Sequence, residues 1–176
     1  KYGMLICSDE IWADFQTGGH KHVPLHTCCP RAKEIVFSMY APSKTFNLAG
    51  LVGSYHIIYN SWIRDRVEKE ASLSHYNDMN VLSMYALIGA YQPEGEEWAD
   101  ELCQVITGNS HYACYYIRTH LDGVKLSKPE GAYMLFLDCT KWFHGPCHLR
   151  VNLALPLSRV QEAFDRLDRY VFNRPE

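Results

Sequence analysis

Several features that indicate specialised partners are missing from this sequence. Its 176 residues carry 17 basic and 20 acidic side chains, a net charge of −3, so there is no basic surplus of the kind that nucleic-acid binding needs. No apolar run reaches the roughly 18 residues of a membrane span, and no secretory leader is visible. We therefore expect a protein that binds neither nucleic acid nor membrane.

Disulfide bonds are not expected either, although the sequence contains seven cysteines. Their number is odd and their spacing irregular, which favours reduced thiols that mostly fill the core of a cytoplasmic protein. The sequence also begins without Met, inside an apolar run at residues 2–7. We expect it to be a portion of a larger protein.

The hydrophobic pattern predicts a mixed α/β fold. Short apolar runs typical of strands occur at residues 2–7, 34–38, 51–59, 124–126, 132–137 and 149–153. The first of these has the continuous apolar character of a strand buried on both faces of a parallel sheet. Helical periods occur at residues 62–70, 81–91 and 94–120, the last as one long helix or as two joined near residues 108–109. A last helix follows Pro156.

This order of elements suits the end of an α/β sheet domain followed by a compact α/β unit. The strands before residue 61 are too few for a complete doubly wound domain. We therefore predict the second part of a large domain at residues 1–105 and a small C-terminal domain at residues 106–176.

Asp9 is the first candidate site residue, in the Ser-Asp-Glu sequence directly after the first predicted strand. Ligands of open α/β sheets bind beyond the carboxyl ends of the strands. A carboxylate at that position can pair with a pyridinium nitrogen and keep it protonated. The alternative is a helix N-cap, or a solvated acid pair formed by Asp9 and Glu10.

Lys44 is the second candidate, in the segment Ala-Pro-Ser-Lys-Thr-Phe-Asn-Leu-Ala-Gly at residues 41–50. Its apolar neighbours make a free ammonium costly to bury, whereas an amine that bonds to a carbonyl compound avoids that cost and gains a chemical role. Ser43 can donate its hydroxyl to a phosphate. The alternative is an exposed loop lysine, the usual situation of lysine.

Arg150 is the third candidate, because it interrupts the apolar run Leu-Arg-Val-Asn-Leu-Ala at residues 149–154. A guanidinium there needs a partner, and its planar fork suits a carboxylate. The alternative is an internal ion pair.

Two other groups of reactive side chains compete with these candidates. The series His20, His22, His26, Cys28 and Cys29 has the residue types of a zinc site, but its spacing matches no common structural zinc pattern. Cys147 and His148 have the types of a thiol–imidazole pair. Adjacent residues of a strand point to opposite faces, which disfavours that pair.

Taken together, the segments resemble pyridoxal-5′-phosphate (PLP) enzymes of fold type I, in the class I/II aminotransferase group. Residues 8–12 (Ser-Asp-Glu-Ile-Trp) are similar to the family's aspartate motif, and residues 43–50 to its lysine motif. Residues 129–133 (Pro-Glu-Gly-Ala-Tyr) are similar to its strand-entry motif, and residues 149–154 to its arginine motif. The four motifs occur in the family's order and span nearly the whole chain.

The resemblance implies the C-terminal part of the large PLP-binding domain together with the small α/β domain. It implies that Lys44 bonds covalently to PLP and is catalytic, that Asp9 pairs with the pyridine nitrogen, and that Arg150 binds the α-carboxylate of an amino-acid substrate. Ser43 and Trp12 are implied as further cofactor-binding residues, and no residue as a metal ligand. Family members are usually homodimers, so we expect a homodimer of the full-length protein.

Within the group, the details favour the branch of MalY/PatB-type cystathionine β-lyases. Gly53-Ser54-Tyr55 matches the Gly-(Ala/Ser)-Tyr strand of that branch. Trp12 replaces a tyrosine of the aspartate-type aminotransferases, and Val52 lies near the position of their phosphate-binding arginine. The predicted function is therefore β-elimination from cystathionine or cysteine conjugates to pyruvate, ammonia and a thiol.

Three departures from the family's pattern leave alternatives open. The N-terminal half of the family, with its glycine-rich phosphate turn, has no counterpart in this sequence. Ala41 stands where many relatives have a phosphate-binding Ser or Thr, and the segment between Trp142 and Leu149 is shorter than in relatives. The alternatives are a class I/II aminotransferase, which uses the same Lys, Asp and Arg, and a non-catalytic fragment of such an enzyme.

Overall fold

A computed structural model describes residues 3–74, 78–143 and 145–173. The chain divides into two compact units: Lys1–Asp14 with Lys21–Ala99, and Phe15–His20 with Asp100–Glu176. The division after Ala99 lies within one long helix. The domain boundary predicted after residue 105 stays a prediction.

The first unit contains a three-stranded sheet with the order β1-β2-β3. Strand β1 (Ile6–Asp9) pairs in parallel with β2 (Val36–Tyr40), which pairs antiparallel with β3 (Tyr55–Ile58). The short helix α2 (Pro42–Thr45) follows β2 directly, and α1 (Ala32–Ile35) precedes it. Because β1 and β2 are parallel, the chain leaves both strands at the same edge of the sheet.

The helical segments predicted after residue 61 correspond to three helices, and the last of them is one continuous helix. These are α3 (Ser61–Ser74), α4 (Val81–Ala90) and α5 (Pro93–His120). Asparagine side chains start the first two, because a short amide side chain satisfies free amides of the first helical turn. The Asn60 side chain accepts the amide of Trp62 at 2.9 Å, and the Asn80 side chain accepts that of Ser83 at 3.0 Å. No helix in the described ranges is long and apolar enough to cross a bilayer.

Burial of the first strand on both faces is a wrong prediction. Met4 and Leu5, which lead into β1, are 69% and 53% exposed, and Ile6 is exposed as well. The physical reason is that β1 lies at the end of the strand order and pairs on one side, with β2. The sheet is also mixed rather than parallel, since β3 runs antiparallel to β2.

The second unit contains an antiparallel sheet of β4 (Lys125–Leu126), β5 (Met134–Asp138) and β6 (His148–Asn152). Helix α6 (Leu157–Leu167) follows and continues into one π-helical turn, Asp168–Phe172. One face of the sheet packs against α5 and α6, around the buried residues Ala113, Ile117, Leu121, Leu135, Leu137, Cys139, Leu153, Val160, Phe164 and Phe172.

Side chains alternate along β5 between this core and an open face, as the strand period of two requires. Leu137 is fully buried, whereas its neighbour Phe136 is 63% exposed. Buried Asn109, in the middle of α5, donates hydrogen bonds of 2.8 Å to the carbonyls of both Leu153 and Leu155. That amide fixes α5 to the chain that leaves β6.

Candidate functional site

Lys44 lies in α2, at the carboxyl edge of the first sheet. Pro42 occupies the first helical position, where its fixed φ suits a helix start, and the Phe46 amide donates to its carbonyl at 2.9 Å. Asn47 has a φ of 54°, a left-handed conformation that ends the helix. The Lys44 side chain is exposed and forms no hydrogen bond or ion pair with the residues that the structure describes. Of the two situations that the sequence left open for this amine, buried or exposed, the structure shows the exposed one.

The residues next to Lys44 fix α2 in place. The buried Thr45 hydroxyl donates to the Asp14 carboxylate at 2.6 Å. The Phe46 ring stacks on Trp98 with 5.7 Å between ring centroids and meets Tyr91 edge-on at 5.8 Å. The helix that carries Lys44 is thus held to the segment after β1 and to the start of α5.

Asp9 is the last residue of β1 and lies at the same edge. The register of the parallel pair places it opposite Met39, near the end of β2. One carboxylate oxygen accepts the Ile11 amide at 3.2 Å, and the side chain is exposed. It forms no ion pair with any residue in the described part of the chain. The structure therefore brings Asp9 and Lys44 to one edge of one sheet, each with an unpaired charge.

The other two predicted cofactor-binding residues follow the same two strands. Ser43 directly precedes Lys44 in α2 and is half-buried, whereas Trp12, in the turn after β1, is exposed. Ala41, the position where many relatives have a hydroxyl side chain, is buried.

Arg150 lies in the second unit, on the open face of β6. It is exposed, and the strand register places it opposite Phe136. His148, two residues earlier on the same face, stacks on Phe136 with 4.9 Å between ring centroids. Arg150 forms no ion pair with described residues, so the internal pair considered as an alternative is not observed there.

Glu10, which sequence reasoning treated only as part of an acid pair, is the centre of a buried hydrogen-bond network. Glu10 as a residue is 6% exposed. It accepts hydrogen bonds from five groups: the Ser8 hydroxyl at 3.0 Å, the Leu25 amide at 3.1 Å, the Ser38 hydroxyl at 3.2 Å, the Tyr40 hydroxyl at 2.8 Å and His22 Nε2 at 2.6 Å. Burial alone would raise the pKa of Glu10, but the bonds from His22, Tyr40, Leu25 and Ser8 outweigh it and lower the pKa to about 2.

The network continues through aromatic side chains across the sheet. Burial, together with the hydrogen bond to Glu10, raises the pKa of Tyr40 to about 12. The Tyr40 ring stacks on Tyr55 at 5.4 Å, and the Tyr55 hydroxyl donates to the Tyr91 hydroxyl at 3.3 Å. These contacts connect β1, at the carboxyl edge of the sheet, to Tyr91, the residue that follows α4. Two features of the sequence could have indicated this network. They are the Glu directly after Asp9 and the hydroxyl side chains of Ser38 and Tyr40, which lie on one face of β2.

The residues of the alternative zinc site are engaged elsewhere. His22 bonds to Glu10, and buried His26 shares a 3.0 Å hydrogen bond with the Ser38 hydroxyl. Cys28 and Cys29 are exposed. Among the described residues, no three His, Cys, Asp or Glu side chains are grouped as metal ligands. Cys147, half of the other competing pair, is partly buried, while His148 is exposed.

The side chains at the carboxyl edge fit the chemistry of PLP. An aldehyde requires a primary amine to bond to, a pyridinium nitrogen a carboxylate, and a phosphate a hydroxyl donor. Lys44, Asp9 and Ser43 supply these three groups. The two charged ones are accessible and have no ion-pair partner in the described ranges, so neither would have to break an ion pair to bind a cofactor.

No protein-family model matches the chain. The cystathionine β-lyase PatB of Bacillus subtilis is 34% identical over 138 residues, which cover 78% of this chain and 35% of that protein. The chain spans about a third to a half of the length of the curated relatives it matches.

Solved structures give the same assignment for the fold. A PLP-bound putative aminotransferase from Clostridium difficile matches with a TM-score of 0.86 and 26% identity, over 93% of this chain and 49% of the other. Cystalysin from Treponema denticola, which contains PLP, matches with a TM-score of 0.83 and 26% identity, over 93% and 48%. The predicted α/β fold class is confirmed. By sequence and by fold, the chain belongs to the PLP-dependent enzymes of fold type I, in the class I/II aminotransferase group.

Proposed function

We propose that the full-length protein is a carbon–sulfur β-lyase that acts on cystathionine or related cysteine conjugates. The exposed, unpaired Lys44 and Asp9 at one sheet edge support PLP chemistry. The similarity to PatB, a cystathionine β-lyase, supports the choice of reaction.

The proposed roles of the site residues are to hold the cofactor and the substrate and to remove a proton. Bound PLP supplies an electron-withdrawing ring to the amino group of the substrate. Lys44 would hold the cofactor through its amine and would remove the proton from Cα of the substrate as general base. Asp9 would keep the pyridine nitrogen protonated through its negative charge, and Ser43 would donate its hydroxyl to the phosphate. Arg150 binds the substrate carboxylate through its planar fork.

β-Elimination follows when the thiolate leaves Cβ as the Cα proton is removed. Water then releases the remaining three-carbon unit as pyruvate and ammonia, and the thiolate takes up a proton. This reaction needs no keto acid to accept the amino group, whereas transamination does.

An assay for pyruvate from cystathionine without added keto acid tests the lyase proposal. Formation of pyruvate, ammonia and homocysteine in equal amounts is the expected result. Turnover that requires a keto acid contradicts it and favours the aminotransferase alternative, which the similarity to the Clostridium difficile protein supports.

Cofactor binding is tested separately on the 176-residue chain. We expect PLP to give a visible absorption band, and borohydride reduction to leave a PLP adduct on the peptide that contains Lys44. Lys44→Ala abolishes both signals, whereas Lys69→Ala, which removes an exposed amine from α3, retains them. Asp9→Asn keeps the adduct and weakens PLP binding. A chain that gives no adduct supports the non-catalytic alternative.

We also propose that the full-length protein is a homodimer. Helix α4 presents a row of exposed apolar side chains that includes Val81, Leu82, Tyr85 and Ile88. Exposed apolar patches of this kind typically mark interfaces between proteins. Light scattering should give twice the monomer mass, and Leu82→Glu should reduce it to that of one chain. A monomeric parent protein contradicts the proposal.

A further inference from the structure

A cavity of about 970 Å³ lies wholly within the second unit. Its walls are the loop of residues 16–20, the second half of α5 and the Lys128–Pro129 segment. The loop is fixed next to β5: the Ala132 amide donates to the Phe15 carbonyl at 3.0 Å, and the Phe15 and Tyr133 rings lie 4.6 Å apart. The volume is within the range of small-molecule sites.

The loop wall is a tight turn with free backbone donors. The His20 amide donates to the Thr17 carbonyl at 3.3 Å and closes the turn. Gly18 and Gly19, at the two central positions, have φ values of 65° and 81°, which L side chains rarely adopt. The amides of these glycines donate to no acceptor in the described ranges. Consecutive free amides of this kind are a frequent means of binding anions.

The charged and imidazole side chains of the cavity wall are all basic. His111 and Arg118 are seven residues apart on α5, two turns along one face, and His20 and Lys128 come from the two other walls. No Asp or Glu of the described part of the chain lines the cavity. Neither Arg118 nor Lys128 forms an ion pair with described residues. On a chain with a net charge of −3, this local excess of unpaired positive charge selects an anionic ligand.

One wall residue has an unsatisfied polar group. Thr17 is buried, and its hydroxyl has no hydrogen-bond partner among the residues described. A buried polar atom without a partner lowers stability. A mostly apolar surface lies beside these polar groups and is formed by Cys114, Tyr115 and Pro129. Such a surface suits a ligand that carries an aromatic or aliphatic group.

We propose that this cavity is a binding site for an organic phosphate: a phosphate held by Arg118, Lys128 and the free amides of the turn, on an aromatic or apolar body that contacts Tyr115. Arginine binds phosphate oxygens in pairs, and lysine adds a point charge. The proposal does not rest on the β-lyase function, because none of Lys44, Asp9 and Arg150 lines the cavity.

Calorimetric titration of the 176-residue chain with phenyl phosphate tests the site at low ionic strength. Phenyl phosphate should bind more tightly than inorganic phosphate, which lacks the ring, and more tightly than benzoate, which carries one negative charge. Affinity should fall as salt is added, because the ligand contacts exposed charges. Equal affinity for benzoate, or for neutral phenol, overturns the assignment to a phosphate.

Variants separate the cavity from general surface charge. Arg118→Gln and Lys128→Gln should each raise Kd about tenfold or more. The matched controls Arg159→Gln and Lys125→Gln remove exposed cations outside the cavity wall and should bind as the original chain does. Equal affinity in all four variants overturns the proposal.

Discussion

Replacing Glu10 with Gln changes one atom type in a buried network and should destabilise the protein strongly at neutral pH. The Glu10 carboxylate accepts bonds from five donors, whereas a Gln side chain turns an NH₂ group towards some of them. The pKa of Glu10 falls from 4.5 to about 2. Such a shift corresponds to about 3 kcal/mol of unfolding free energy, and we expect Glu10→Gln to lose an amount of that order in urea denaturation at pH 7.

The same pKa shift fixes the direction of the pH dependence. Because folding depresses the pKa of Glu10, its contribution is fully present above the unfolded value of about 4.5 and is lost as pH falls towards 2. The difference in unfolding free energy between the original chain and Glu10→Gln should therefore shrink between about pH 5 and pH 2. Taking the difference removes the contribution of other carboxylates, including Asp122, Asp138 and Glu162, whose pKa values are also lowered.

Glu68→Gln is the matched control, since it removes an exposed carboxylate from α3. It should change the unfolding free energy by less than about 0.5 kcal/mol. Two results would refute the reasoning: equal urea midpoints for Glu10→Gln and the original chain at pH 7, or a difference between them that stays constant from pH 7 to pH 2.

Three further predictions concern the second unit, and all are measured by urea denaturation at pH 7. Leu137→Ala should lower the unfolding free energy by about 2–5 kcal/mol, because it opens a cavity at a fully buried position. Phe136→Ala, on the open face one residue earlier, should lower it by clearly less, and an equal loss at both positions would contradict the assigned faces of β5. Asn109→Leu should cost about 1–3 kcal/mol, since it leaves the carbonyls of Leu153 and Leu155 without their donor; no loss would mean that the amide does not fix α5.

The positions of strands followed from the sequence where the apolar runs were short and well bounded. The runs at residues 34–38 and 149–153 correspond within two residues to β2 and β6. The sequence did not predict whether a strand pairs in parallel or antiparallel, or how deeply it is buried. Both depend on neighbours that are distant in sequence. β1 has the composition of a central strand, yet it pairs on one side and its apolar residues are exposed.

The candidate site was predictable to the extent that its residues lie in local motifs. Asp9 ends β1 and Lys44 follows the adjacent β2, so a motif at the end of each strand sufficed to place both at one edge. Their roles with PLP stay predictions. The hydrogen bonds of Glu10 were not predictable, because they depend on Ser38, Tyr40 and His22, which the strand register and a loop bring from elsewhere.

The adjacent acids Asp9 and Glu10 have separate roles because the strand alternates its faces. Glu10 turns inward, where five donors compensate its charge, and there it stabilises the ends of β1 and β2. Asp9 turns outward with a single amide bond, so its charge remains available to a ligand. The structural role of Glu10 and the proposed cofactor role of Asp9 therefore fall on two separate residues. We expect a change at Glu10 to act first on folding and a change at Asp9 to act first on cofactor binding, because Glu10 accepts five hydrogen bonds and Asp9 accepts one.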